Sequence, residues 1–137
     1  MTITMSRNPR LDAIHDNRMS PFTELLGLQL VSLDEEGCVM RLDVSPQHFN
    51  TTQRVHGGVI FSLLDSAMGA AVYARLDAHE STATIECKIN YTRAVTGGVL
   101  ECRAKVMHAG TRTMVVDGEV WQDGALAAKC LGTFARI

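Results

Sequence analysis

One segment narrows the folds open to this chain more than any other: residues 56–76, HGGVIFSLLDSAMGAAVYARL. Apolar residues fall nearly all round the helical wheel over 59–76, which predicts a helix buried on most of its sides. About 20 residues at 1.5 Å each give it a length of roughly 30 Å. It is expected to end near Asp77-Ala78-His79. Ser62, Asp65 and Ser66 interrupt it, so no apolar run reaches the roughly 18 residues of a membrane span.

The segments on either side supply what such a helix needs as cover. Ser20-Pro21, a capping residue followed by proline, predicts a short helix over 22–26 that stops at Gly27. Leu28, Leu30 and Val31 begin a strand, and Glu35-Glu36-Gly37 turns the chain. Cys38, Met40, Leu42 and Val44 then alternate with Val39, Arg41 and Asp43, a strand with one polar face. Residues 45–55 form a polar loop. Beyond residue 81 everything reads as strand. Ile85, Cys87, Ile89 and Tyr91 alternate with Thr84, Glu86, Lys88 and Asn90. Leu100, Cys102, Ala104 and Val106 alternate with Glu101, Arg103 and Lys105. Gly97-Gly98 and His108-Ala109-Gly110 are turns, and Asp123-Gly124 joins strands over 113–121 and 125–134. The fold class is therefore α+β, with about six antiparallel strands whose dry face must be covered. The long helix is the only large apolar object available, so the sheet is expected to wrap around it. Residues 1–18, of mixed charge and carrying Pro9, read as a flexible arm or short helix ahead of a single domain over 19–137.

Composition removes several function classes. The net charge of −2 offers no basic face for nucleic acid. Residues 1–10 lack the apolar core of an export signal, which favours a cytoplasmic location. Cys38, Cys87, Cys102 and Cys130 form no CxxC pair and read as reduced, mostly buried thiols. The five histidines show no HxxxH or HExxH spacing, so neither a metal nor another cofactor is expected. Met40, Met68, Met107 and Met114 read as core filler.

Two features carry chemistry. Asp65 is the only charged residue between Gly57 and Ala74. A carboxylate in so apolar a helix costs free energy unless it is paired or put to use. It is either hydrogen-bonded on a polar strip with Ser62 and Ser66, or a general base or nucleophile. The second feature is His56-Gly57-Gly58. Glycines at a helix start leave bare N–H groups that can meet an oxygen gaining negative charge, or simply make a tight turn. His56 is a candidate base or a hydrogen-bond partner that stabilises that turn.

The run Asn50…His56-Gly57-Gly58…Asp65, with "INYTRAV" on a later strand, resembles the hotdog-fold acyl-CoA thioesterases, in particular the PaaI-like branch related to the 4-hydroxybenzoyl-CoA thioesterases. The likeness covers roughly residues 20–136. It implies that the Gly57 N–H polarises the thioester carbonyl, that Asp65 is nucleophile or general base, and that Asn50 assists at the carbonyl, with Gln53 its rival. It also implies that Thr84 orients the water. Gly58, Arg93 and the hairpin Gly110-Thr111-Arg112 stand at positions near the nucleotide of CoA. Alternatives within the same fold are an enoyl-CoA hydratase or dehydratase, and a non-catalytic acyl-CoA-binding protein.

Helix geometry adds an inference independent of that likeness. Gly57 and Asp65 are eight residues apart, about 12 Å along one helix, too far to meet at one carbonyl. A two-fold dimer with antiparallel helices brings Gly57 of one chain to Asp65 of the other. The expected assembly is a homodimer as the smallest active unit, and a homotetramer built from such dimers.

Overall fold

The computed structural model describes residues 7–137. Its elements are α1 (Arg10–His15), α2 (Pro21–Leu26), β1 (Gln29–Asp34), β2 (Gly37–Asp43), a 3₁₀ turn (Pro46–His48), α3 (Gly57–Tyr73), β3 (Thr82–Tyr91), β4 (Val99–Ala109), β5 (Thr113–Gln122) and β6 (Ala125–Arg136). All six strands form one antiparallel sheet in the order β1-β2-β4-β5-β6-β3. The sheet wraps around α3, and this is the hotdog fold.

Local chemistry sets the boundaries. The Ser20 side chain accepts from the Thr23 N–H at 3.1 Å, Pro21 opens α2, and Gly27 closes it with φ 79°. α3 is shorter than its hydrophobic pattern suggests. It stops at Tyr73, and residues 74–76 turn away although Leu76 is still buried. An apolar pattern marks what is buried, not what is helical. β4 runs through His108 and Ala109, so the turn expected there is confined to residues 110–112.

Val59, Ile60, Leu63, Leu64, Ala67, Met68, Ala70, Ala71 and Val72 of α3 are buried. They meet Met40, Leu42, Leu100, Cys102, Met114, Val116, Val120 and Phe134 from the inner face of the sheet. Met107 is the exception among the methionines read as filler: it is 63% exposed, the inserted residue of the bulge between Val106 and His108 and on the same outer face as Arg103 and Lys105. Two glycines let the helix come close. A Cβ at Gly118 would lie 2.8 Å from Met68 Sδ, and one at Gly132 would lie 2.8 Å from Met68 Cε and 3.1 Å from the Glu86 carbonyl oxygen.

The arm or short helix expected over 1–18 lies partly outside the described residues. Within them α1 is helical, and its Leu11 and Ile14 join the core cluster that α3 occupies. Asn8 ties the start of α1 to the chain after α3, its Nδ2 donating to the Asp77 and Glu80 carbonyls at 2.8 and 2.9 Å. Glu80 also receives Arg136, Nη2 to Oε1 at 2.7 Å and Nε to Oε2 at 3.0 Å. That guanidinium first, and then the Asp77 N–H, hold the Glu80 carboxyl down from the usual 4.5 to about 2.

A lowered carboxyl pKa favours the folded chain above the unfolded value, and the advantage disappears as pH falls through the folded one. Glu80→Gln should therefore lower the thermal midpoint at pH 7. The gap from wild type should close as pH drops from about 4.5 to about 2. Melting curves of both proteins across that range check it, and a gap that stays constant with pH would contradict the assignment.

Candidate active site

β3 runs antiparallel to α3, and the strand with Ser81 just ahead of it touches the helix at three levels. Tyr91 Oη donates to the Gly57 carbonyl at 2.7 Å, Thr84 Oγ1 donates to Asp65 Oδ1 at 2.7 Å, and Tyr73 Oη pairs with Ser81 Oγ at 3.1 Å. The helix start thus meets the strand end, and the middle of the helix meets the strand start.

At the helix start, the four leading N–H groups have different fates. The Gly58 N–H goes to His56 Nδ1 at 2.8 Å, and those of Val59 and Ile60 go to the His56 carbonyl at 2.9 and 3.4 Å. Gly57 N–H has no partner among the described residues. The expectation of a bare N–H at Gly58 is therefore not met, because His56 takes it as a cap. In doing so His56 uses its Nδ1 as an acceptor, the second of the two roles open to it in the sequence.

A groove of about 340 Å³ opens in front of this turn, lined by Asn50, Arg54, Gly57, Ile60, Tyr91 and Arg93 among others. Asn50 Oδ1 is engaged within its own loop, accepting from the Thr52 N–H, Thr52 Oγ1 and the Arg54 N–H at 2.9, 2.9 and 3.1 Å. Its Nδ2 has no partner among the described residues, so the amide can still donate. Gln53, the rival, sits at φ 63° and does not line the groove. The loop is anchored by His48, which is buried. Its Nδ1 accepts from the Ser45 N–H at 3.0 Å, and its Nε2 donates to the Leu26 carbonyl at 2.8 Å.

Asp65 lies elsewhere, on a half-buried strip of α3 with Phe61, Ser62, Ser66 and Gly69. Ser62 turns to the Gly58 carbonyl, so the partners of Asp65 come from β3 rather than from its own helix. Thr84 Oγ1 and, at 3.8 Å, Cys87 Sγ both reach its Oδ1, and Oδ2 has no partner among the described residues. Burial, with Cys130 and Asp65 adding to it, pushes the Cys87 thiol up to about 12, so it stays protonated at neutral pH.

Strict alternation along β3 would set Thr84 and Cys87 on opposite faces. A bulge between Thr84 and Glu86 inserts one residue and brings both to the same carboxylate. It also turns Ile85, read as a dry-face residue, outward to 57% exposure.

The hairpin between β4 and β5 stands at the Asp65 end of the sheet, one strand beyond β6, which pairs Phe134 with both Thr84 and Met114. The Gly110 N–H is committed to the Thr113 carbonyl at 2.8 Å, and the Gly110 carbonyl accepts from Arg136 Nη1 at 3.1 Å. Gly110 is therefore not an open donor. The Arg112 guanidinium has no ion-pair partner among the described residues and is the cation this hairpin presents.

Within one chain the candidate residues thus fall into two groups. Asn50, His56, Gly57, Gly58 and Arg93 collect at the start of α3, and Asp65 and Thr84 lie further along it, with Gly110, Thr111 and Arg112 at that same end of the sheet. Tyr91, Arg54 and Cys87 were not singled out by the sequence pattern. Pairing the start of α3 with the end of β3 is the step that would have found Tyr91. A larger hollow, about 570 Å³ and lined by Arg7, Leu33 and Arg75 among others, holds none of the candidate residues. Among the described residues no group of His, Cys, Asp or Glu is arranged to hold a metal, and no helix is long and apolar enough to cross a membrane.

This sheet-around-helix architecture defines the class, and the sequence pattern of the thioesterase superfamily matches residues 52–128. The chain belongs to the thioesterase superfamily and is by class a thioester hydrolase. It is 35% identical over 96 residues to the acyl-coenzyme A thioesterase PaaI of Escherichia coli, covering 69% of this chain and 66% of that protein. Its structure matches conserved protein PA5202 of Pseudomonas aeruginosa with a TM-score of 0.85 at 42% identity, over 89% of this chain and 98% of the other. A variant of the phenylacetic acid degradation protein PaaI of Thermus thermophilus matches with a TM-score of 0.79 at 31% identity, over 86% of this chain and 100% of the other.

Proposed function

We propose that this chain hydrolyses acyl-CoA thioesters to the free acid and CoA, in active sites shared between two copies. The observation that carries this reading is the pairing of one free donor with one held carboxylate. Gly57 offers the single N–H in the first turn of α3 that lacks a partner among the described residues, at the positive end of the helix dipole. Asp65 is fixed through Oδ1 by Thr84 and Cys87, which leaves Oδ2 for water or the acyl carbon.

The mechanism follows from these parts. The thioester carbonyl oxygen sits at the Gly57 N–H, which stabilises the charge it gains as the carbonyl carbon becomes tetrahedral. Asn50 Nδ2 is the second donor. Asp65 either takes a proton from water as that water attacks and the CoA thiolate leaves, or attacks directly, expelling the CoA thiolate and leaving an acyl–aspartyl anhydride that water then hydrolyses to the free acid. Thr84 acts on the carboxylate itself, setting which oxygen faces the substrate. With His56 Nδ1 occupied as a cap, the His–acid pairing that a dehydratase needs is not favoured.

The dimer is supported by two features of the sheet. β3 is paired on one side only, by β6, and among the described residues its other edge is open. An open edge is a template for another strand. Beside it lies the half-buried strip of α3 that carries Asp65 and the apolar Phe61. Antiparallel β3–β3 pairing across a two-fold axis would bring the start of one α3 to the middle of the other. The two residue groups of one chain would then become the two halves of one site. Four cysteines without a disulfide are in keeping with a reducing, cytoplasmic setting.

Release of free thiol from a panel of aromatic, short and long acyl-CoAs tests the reaction and reveals the preferred acyl group. Asp65→Asn, nearly isosteric, should fold normally and lose about 10²–10⁴-fold in kcat. Near wild-type turnover in the folded variant would remove Asp65 from the mechanism. For the shared site, inactive Asp65→Ala and inactive Gly57→Pro chains are mixed and allowed to exchange. A mixed dimer keeps one complete site, so a fraction of wild-type activity should return; proven exchange without recovery would contradict the arrangement. Arg112→Ala should raise KM for CoA thioesters at nearly constant kcat, because a phosphate remote from the carbonyl is held equally in ground and transition states. An N-acetylcysteamine thioester, which has no phosphate, should be unaffected, and equal losses on both substrates would return Arg112 to a structural role.

A further inference from the structure

Tyr91 closes over the first turn of α3, and the reading of Gly57 as the oxyanion donor gives that contact a purpose. The peptide unit joining Gly57 to Gly58 is held at both ends. Its N–H goes to His56 Nδ1 at 2.8 Å, and its carbonyl accepts from Tyr91 Oη at 2.7 Å. The preceding unit, which carries the free Gly57 N–H, has its own carbonyl, that of His56, bonded to the Val59 and Ile60 N–H groups. Hydrogen bonds accepted by a peptide carbonyl polarise its N–H and strengthen it as a donor. Both peptide units flanking the Gly57 Cα are therefore fixed. The ring of Tyr91 also lies so close that a Cβ at position 57 would come within 3.1 Å of Oη and 3.2 Å of Cζ. Glycine is the residue that fits beneath it.

We propose that Tyr91 is a positioning residue for the oxyanion donor: its hydroxyl pins the Gly57 carbonyl and so fixes the direction of the Gly57 N–H. The proposal rests on the thioesterase reading above. Tyr91 Oη is already engaged with the backbone and needs no contact with substrate. Its loss should therefore fall on kcat rather than KM, because the donor matters most when the oxygen becomes negative.

The test compares wild type, Tyr91→Phe, and a chain carrying p-aminophenylalanine at position 91, which keeps a donor para on the ring. All three are checked for melting temperature and oligomeric state. Tyr91→Phe should lose on the order of tenfold in kcat at near-constant KM, less than the roughly 10²–10³-fold for removing an oxyanion donor itself. The amino variant should recover most of that loss. A third comparison guards against a Tyr91→Phe chain that folds poorly. Gly57→Ala, which pushes against the ring, combined with Tyr91→Phe should lose less than the product of the two single effects. Unchanged kcat in Tyr91→Phe, a loss confined to KM, no recovery with the amino variant, or strictly multiplicative losses would each overturn the role of Tyr91. Absence of thioester turnover in the wild type would instead overturn the functional reading beneath it.

Discussion

One apolar helix shared with one sheet is the constraint on which the rest of this molecule depends. Leu63, Leu64, Ala67 and Met68 are fully buried, and the sheet must come near enough to cover them. It does so by leaving side chains out. Gly118 and Gly132, diagonal to each other across the β5–β6 ladder, open the space that Met68 fills, and a Cβ at either would collide with it. Because close packing tolerates neither voids nor overlap, this contact fixes how far α3 stands from β5 and β6. It thereby also fixes the height of α3 above β3, the next strand along.

That height decides what the strip of α3 facing β3 can do. Helix and strand run antiparallel, so contacts made at fixed residues on one find fixed residues on the other. Gly57 meets Tyr91, Asp65 meets Thr84 and Cys87, and Tyr73 meets Ser81. A helix advances 1.5 Å per residue and a strand about 3.3 Å, so a match at three levels cannot hold by simple counting. The bulge between Thr84 and Glu86 resets the phase where the carboxylate meets two donors, and among the described residues the outer edge of β3 stays open.

Much of this was legible in the chain. Helix α2 announced itself through Ser20, Pro21 and Gly27, and the alternation along β2, β3 and β4, with the Asp123-Gly124 turn between β5 and β6, revealed both the strands and the α+β class. The family resemblance singled out Thr84, but as a residue that orients water; its bond to the helical acid was not legible, since the residue pattern by itself placed Thr84 on the wet face. The bulge explains why: a single inserted residue inverts every later side chain and leaves no mark in composition. The caps at Gly58 and Gly110 were hidden for a related reason. A sequence shows that a backbone N–H exists, but not that a histidine ring or a carbonyl three residues away has already taken it.

The same accounting explains why Gly57 is left open while its neighbours are closed. An unpaired N–H at a helix start is ordinary when water can reach it, and water is displaced at little cost by an oxygen carrying more charge. A donor useful in a transition state must also be held still, because a group that reorients during the reaction gives back what it contributes. Here the first turn is immobilised by everything except the ligand. His56 caps Gly58, the His56 carbonyl takes two more N–H groups, and Tyr91 holds the Gly57 carbonyl. The loop in front is anchored by His48 on the Leu26 carbonyl and closed on itself by Asn50. A free donor within an otherwise satisfied turn is rigid and unspent at once, and the polar groups packed around it are what keep it so.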